Sequence, residues 1–237
     1  MPTQFSASWL TELDNLEQQW HYGDACTQQS IDEELLRWRQ RLNRPSVPNE
    51  EFFDIVDEHG ALLGLTAPRW FAHLTGLRHR VVHVLLRTPQ GLLVTQMRSH
   101  TKAEWPDLLD TTVGGHLKAG QDWQAGVLDE IHEEIGLAPD MMPHWLAEPW
   151  LIPVGGPVMR SGKSHSTPPI RNWQVNQIYT GTLTPWGLAH IHFADGELDG
   201  IYLCAPDEIQ RLIEASSQRL APGLRNVFPI WQAFVNR

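Results

Sequence analysis

The segment Thr111–Leu137 constrains this chain more than any other. It joins a glycine-rich loop, Gly114-Gly115-His116-Leu117-Lys118-Ala119-Gly120, to a helix whose two ends are written into the sequence. Asp122 is placed as the N-cap, and Gly136 as a left-handed C-terminal residue with Leu137 available to pack back. At about 100° of rotation per residue, Val127, Leu128, Ile131 and Ile135 share one arc, and Glu130, Glu133 and Glu134 share the neighbouring one. One face is core and the next is a carboxylate cluster. Glutamates at i, i+3 and i+4 repel by a few tenths of a kcal/mol per exposed pair, and no Lys or Arg on this helix neutralises them. Oxygen-rich carboxylate sites suit Mg²⁺ or Mn²⁺, and the glycine loop can add a backbone carbonyl. Taken alone, an E-x-x-E-E cluster is more often a solvated helix face.

Around this segment the chain reads as α/β. Trp9, Leu13, Leu16 and Trp20, then Ile31, Leu35, Trp38 and Leu42, recur at helical spacing on either side of Gly23 and Asp24, which predicts a helical hairpin over residues 7 to about 43. The Pro-rich connector Asn43–Asn49 cannot continue a helix and is the best domain boundary. It divides the chain into a helical extension, 1–45, and a main domain, 50–237. Two β-hairpins are expected next, Phe52–Asp57 with Ala61–Leu65 and Arg80–Arg87 with Leu92–Met97. After the helix near 122–135 come extended segments at 145–154, 174–183 and 200–203, then helices at 206–215 and 226–236. Pro153–Pro169, rich in Gly, Ser and Pro and carrying Arg160, Lys163 and His165, reads as a surface loop, and a basic loop can close over an anion.

Charge narrows the partners. With 28 acidic against 18 basic residues the net charge is −10, which repels polyanions and argues against nucleic acid or an anionic membrane as partner. A small phosphorylated ligand remains open, because a bound divalent cation reverses the local field. Two cysteines are too few for a disulfide framework, no apolar run reaches the roughly 20 residues that span a bilayer, and Met1–Phe5 lacks a secretory pattern, so the cytoplasm is the expected compartment. Twelve histidines invite thoughts of zinc, but no H-x-x-x-H lies on an expected helix, so scattered core and surface histidines are anticipated. His116, beside the glycine loop, is the one candidate for a substrate contact.

From Gly115 onward the sequence resembles the Nudix hydrolase box: Gly, five residues, Glu, seven residues, Arg-Glu, an apolar residue, any residue, Glu-Glu, any residue, Gly, apolar. Glu130, Ile131, Glu133, Glu134, Gly136 and Leu137 fall on matching positions, with Gln121 at the first Glu and Asp129 at the Arg. Flanking residues, among them Arg80–Leu86, Lys102, Trp105-Pro106 and Asp110–His116, resemble the branch that contains isopentenyl diphosphate isomerase and the Nudix domains linked to thiamin pyrophosphokinase. The resemblance implies a Nudix α/β/α sandwich with a mixed sheet, here preceded by the helical extension. It implies Mg²⁺ or Mn²⁺ held by Glu130, Glu133 and Glu134 with a carbonyl of Gly114 or Gly115, and hydrolysis of a diphosphate linkage in a small substrate such as a nucleoside diphosphate derivative. Glu130 and Glu134 are then the catalytic pair, Glu130 as candidate general base. Arg98, Lys102, Arg80, His116, Arg160 and Lys163 are candidates to hold the substrate, and Glu197 in Asp195–Gly200 is a candidate late acid. Dimerisation is common in the family, so a homodimer is an expected assembly.

Two positions depart from the pattern. The family's Glu–Arg brace is replaced by Gln121 and Asp129, for which an amide-to-carboxylate hydrogen bond is the natural substitute. Exchanging a cation for an anion beside the catalytic glutamate raises that glutamate's pKa unless metal is bound. A degenerate box that binds a phosphorylated ligand or a protein without turnover is therefore the second reading. An isomerase is the third, and it lacks the Cys that mechanism uses, since Thr111–His116 contains no thiol.

Overall fold

The computed structural model describes residues 5–22, 26–102, 104–164, 167–193 and 196–237. Gly23, Asp24, His165 and Asp195 lie outside the described residues. The chain divides into two compact units, one built from residues 1–80, 116–121 and 157–176 and the other from 81–115, 122–156 and 177–237.

In the first unit, helices α1 (Ala7–Tyr22) and α2 (Gln28–Leu42) form the expected hairpin. A capping box starts α2: the Thr27 side chain accepts from the Ser30 N–H while the Ser30 hydroxyl accepts from the Thr27 N–H, and Asn43 ends the helix in the left-handed conformation. Strands β1 (Phe52–Val56) and β2 (Leu62–Pro68) pair antiparallel, and a short helix, α3 (Arg69–Thr75), follows directly. Leu13, Leu16, Trp20, Ile31, Trp38 and Leu42 of the helices share one core with Phe53, Ile55, Phe71 and Leu74. The helical hairpin therefore buries its apolar side against β1, β2 and α3.

A polar network adds to that packing. Glu17, 2% exposed, accepts from Arg171 Nε at 3.0 Å and from Trp173 Nε1 at 2.8 Å, and pairs with Lys163 Nζ at 2.9 Å. Arg171 and Lys163 also reach Asp14. Removing one partner of a buried ion pair leaves the other charge uncompensated. Glu17→Gln is expected to destabilise the fold by about 3–5 kcal/mol in urea titration; a loss below about 1 kcal/mol, the value of a surface pair, would contradict the burial.

Lys163 thus lies on a strand rather than in a loop. β8 (Val158–Ser164) pairs antiparallel with the first half of β9 (Ile170–Leu183), from Val158 opposite Asn176 to Ser164 opposite Ile170. The Gly, Ser and Pro of 153–169 read as a surface loop able to close over an anion, but 158–164 is a paired strand, and its exposed edge explains why so polar a stretch can be one.

In the second unit the strand order is β10-β4-β3-β9-β7, with β3 His79–Arg87, β4 Leu93–Arg98, β7 Leu146–Pro153 and β10 Leu198–Cys204. Two short strands attach to it, β5 (Leu109–Asp110) to β4 and β6 (Val113–His116) to β3. The sheet is mixed, and its helices are α4 (Trp123–Ile135), α5 (Met142–Trp145), α6 (Pro185–Ala189), α7 (Pro206–Glu214) and α8 (Pro222–Val235). Leu85, Leu93, Ile178, Ile209, Leu224, Phe228 and Trp231 form its core. Asp110 ties β5 to α8: its Oδ1 accepts the Leu224 N–H at 2.8 Å, and a Cβ on Gly223 would collide with that oxygen. Among the described residues no helix is long and apolar enough to cross a membrane.

Candidate active site

The site grows from the two ends of α4 and the strands beside it. Asp122 caps the helix, accepting the Ala125 N–H at 2.7 Å, and Gly136 closes it with φ +70° and an N–H to His132 O at 3.0 Å. These caps fix which residues face which way. Val127, Ile131 and Ile135 are buried, while Glu130 is half-buried and Asp129 and Glu133 are exposed.

Glu134 is the exception among the acids, at 5% exposure. Its Oε2 accepts the backbone N–H of Gly114 at 3.3 Å and the Gln96 amide at 3.4 Å. Burial pushes its pKa well above the ordinary carboxylate value, and the charges of Glu130 and Glu197 push it in the same direction. Gln96, 2% exposed on β4, is a contact that sequence reasoning missed; its only signal was a polar residue inside an apolar strand.

β6 delivers the glycines. A Cβ on Gly115 would overlap the Glu130 carboxylate, so the absence of a side chain at that position makes room for this acid. Gly114 is similarly confined by the His83 ring and the Thr111 hydroxyl, at 3.0 and 3.2 Å from a built Cβ. Glu197, just before β10, joins the cluster electrostatically and forms an ion pair with Lys102; its carbonyl accepts the Ser99 N–H at 2.9 Å.

The acids that act on one another here, Glu130, Glu134 and Glu197, offer oxygen donors, although among the described residues no three carboxylates converge as closely as a bound ion would require. Such a set suits a hard, divalent cation such as Mg²⁺ or Mn²⁺. A buried carboxylate beside two like charges is also the arrangement that a cation relieves.

The basic candidates are arranged differently from one another. Arg98 faces the 104–110 loop, with Nε to Trp105 O at 3.1 Å, Nη2 to Glu104 O at 2.9 Å and Nη1 to Asp110 Oδ2 at 3.4 Å. That loop carries left-handed Trp105 and Asp107, φ +56° and +59°, and the guanidinium holds it. Lys102 pairs with Glu197, Lys163 with Asp14 and Glu17, and Arg160 is exposed on β8.

In the first unit, Arg80 is 5% exposed and braces the rest of the glycine loop: its Nη2 donates to Asp54 Oδ2 at 2.9 Å and to Gln121 O at 2.6 Å. Asp54 Oδ2 also accepts the Gly120 N–H at 2.8 Å, and the Gln121 side-chain carbonyl accepts the Lys118 N–H at 2.8 Å. His116 stacks on Phe53, ring centroids 5.1 Å apart, and meets His73 and His79, a convergence the sequence did not suggest. Burial holds His79 at about 4 and His73 well below the ordinary imidazole value.

Comparison with known proteins agrees with this arrangement. The NUDIX domain pattern matches residues 77–227. The chain is 38% identical over 97 residues to the Nudix hydrolase SCO1686 of Streptomyces coelicolor, covering 41% of this chain and 53% of that one. It is 38% identical over 90 residues to Nudix hydrolase 3 of Arabidopsis thaliana, covering 37% of this chain and 12% of that one. The alignment thus spans about half of the first relative and a small part of the second. In three dimensions the crystal structure of DR0079 from Deinococcus radiodurans superposes with a TM-score of 0.55 at 23% identity, over 76% of this chain and 98% of that one, a likeness of fold. The domain match covers more than half of the chain, and the chain belongs to the Nudix family.

Proposed function

We propose that this protein is a divalent-cation-dependent hydrolase that cleaves a diphosphate linkage in a small phosphorylated substrate, such as a nucleoside diphosphate derivative. The observation that carries this reading is Glu134, buried and pressed by Glu130 and Glu197 into a state that a cation would relieve. Glu130, Glu133 and Glu134 with a glycine-loop carbonyl would hold Mg²⁺ or Mn²⁺, which supplies charge neutralisation at the diphosphate and acidifies a bound water. Glu130, for which Gly115 leaves room, is in this reading the acceptor of the attacking water's proton. Gln96 and the Gly114 N–H keep Glu134 in position.

Lys102 and Arg98 are the cations nearest in sequence to the box within the second unit, and both are engaged with acids, Glu197 and Asp110. In this reading they contact substrate phosphate by exchanging those partners. His116, Arg160 and Lys163 remain proposed substrate contacts on the same footing, and the cytoplasm and a homodimer remain the proposed setting. A second reading, binding without turnover, is favoured by Asp129, an anion where the family pattern has a cation.

A panel of nucleoside diphosphate derivatives, prenyl diphosphates and thiamin diphosphate, incubated with Mg²⁺ or Mn²⁺, tests both readings. Phosphate or nucleotide release by wild type and not by Glu134→Gln is the expected result. Saturable binding without release by wild type, with release restored in Asp129→Arg, would give the second reading. Equal release by wild type and Glu134→Gln would remove the assigned site.

A further inference from the structure

Among the described residues one group of side chains has the composition and spacing of a metal site, and it is not the acidic face of α4. His73 near the end of α3, His79 at the start of β3 and His116 at the end of β6 lie in the first unit, and their ligand nitrogens are all within 4.8 Å of one another. His73 Nε2 and His116 Nε2 are 3.3 Å apart. Two nitrogens bound to one tetrahedral Zn²⁺ at about 2.0–2.1 Å stand roughly 3.4 Å apart, so this edge already has the required length.

The orientation of His79 points the same way. Its Nδ1 lies 3.0 Å from the carbonyl of Leu77, which can only accept, so Nδ1 carries the proton and Nε2 presents a lone pair. That Nε2 is fully buried and has no hydrogen-bond partner. The Asn172 side chain lies within hydrogen-bonding reach of the same ring, and its Oδ1 is buried. A carbonyl that fixes the imidazole tautomer is also the usual outer partner of a metal-bound histidine. Phe53 backs the cluster, 4.7 Å from the His79 ring and 5.1 Å from that of His116, and restricts both rings to their present planes.

We propose that His73, His79 and His116 bind a transition-metal ion of the Zn²⁺ class, with the Asn172 carbonyl or a water as fourth ligand, and that this ion fastens α3, the start of β3 and the glycine loop together. The site differs in kind from the box. Three neutral imidazoles favour Zn²⁺, Co²⁺, Ni²⁺ or Cu²⁺, whereas the box carboxylates favour Mg²⁺ or Mn²⁺. One protein would then carry a nitrogen-ligand site and, in the proposed function, an oxygen-ligand site that begin on adjacent residues, His116 and Gly115.

Cobalt separates the two by colour. Co²⁺ in a tetrahedral nitrogen site absorbs strongly in the visible, and Co²⁺ in an octahedral oxygen site only faintly. Chelator-stripped full-length protein titrated with Co²⁺ is expected to develop the strong band, saturating at one equivalent, and Zn²⁺ is expected to displace it. The double variant Glu130→Gln/Glu134→Gln should keep the band. His73→Ala and His116→Gln should lose it, with apparent affinity falling by at least ~100-fold. Saturating Zn²⁺ should raise the melting temperature of wild type and leave that of His73→Ala unmoved. A wild type without the band, a band that survives His73→Ala and His116→Gln, or a band lost with the two glutamates would each overturn the proposal. His73 retains partial exposure, so its truncation is expected to leave a folded protein, and His116→Gln, which keeps a polar side chain, gives the same reading in a second variant.

Discussion

Glu134→Gln is expected to lower metal-dependent hydrolysis by about 10²–10⁴-fold and, in the absence of metal, to make the protein more stable at alkaline pH than wild type. The second effect follows from burial. Desolvation and the neighbouring carboxylates raise the pKa of Glu134 in the folded protein above its ordinary value. Unfolding then releases a proton at any pH between the two values. Stability from this group is complete below the ordinary glutamate pKa and is lost as pH rises towards and through the raised one. A glutamine of the same shape does not ionise and avoids the loss. Melting curves in chelator at roughly pH 5 and about pH 8 should show wild type losing more stability than the variant. Adding Mg²⁺ should restore wild type selectively, because the ion binds the ionised carboxylate. Parallel pH dependence in the two proteins would mean that Glu134 is not the buried, metal-seeking acid.

Gly115→Ala tests the other half of the site. The added methyl would occupy the space of the Glu130 carboxylate, so that acid must swing away. Misplacing a reacting group by about 1 Å can cost 10²-fold, and a loss of about that size in turnover is the expected result. Stability should change little, because Glu130 is only half-buried and its side chain has somewhere to go. Gly120→Ala supplies the opposite control. Its φ is +83° with open space around it, so alanine there strains the backbone by about 1–2 kcal/mol without touching an acid. Activity that falls equally in both variants would point to general loosening of the loop and not to Glu130.

How far the sequence reached depended on whether the signal was local. The caps of α4, its apolar arc and its acid face all lie within one short segment, and each was legible there. The helical hairpin and both β-hairpins were legible from periodicity for the same reason. α3 was not, because it spans seven residues and begins at Pro68 without a side-chain cap. β8 was obscured by a Gly and Ser composition that an exposed edge strand tolerates. The basic residues were hardest. Arg80, Arg98, Lys102 and Lys163 look alike in sequence, and what distinguishes them is Asp54, the 104–110 loop, Glu197 and Glu17, partners that only the fold brings near. The histidine cluster was invisible by the same logic: no short motif connects positions 73, 79 and 116, which meet only when α3 and the glycine loop converge on Phe53.

The brace under the glycine loop ties together two stretches that are distant in the chain. Asp54 lies before the part of the chain that follows the family pattern, yet a single oxygen of it holds both the buried Arg80 guanidinium and the Gly120 amide. Losing the Asp54 carboxylate would take one partner from the Arg80 guanidinium and the acceptor from the Gly120 N–H at once, so a loop transplanted without residue 54 would lose the support it has here.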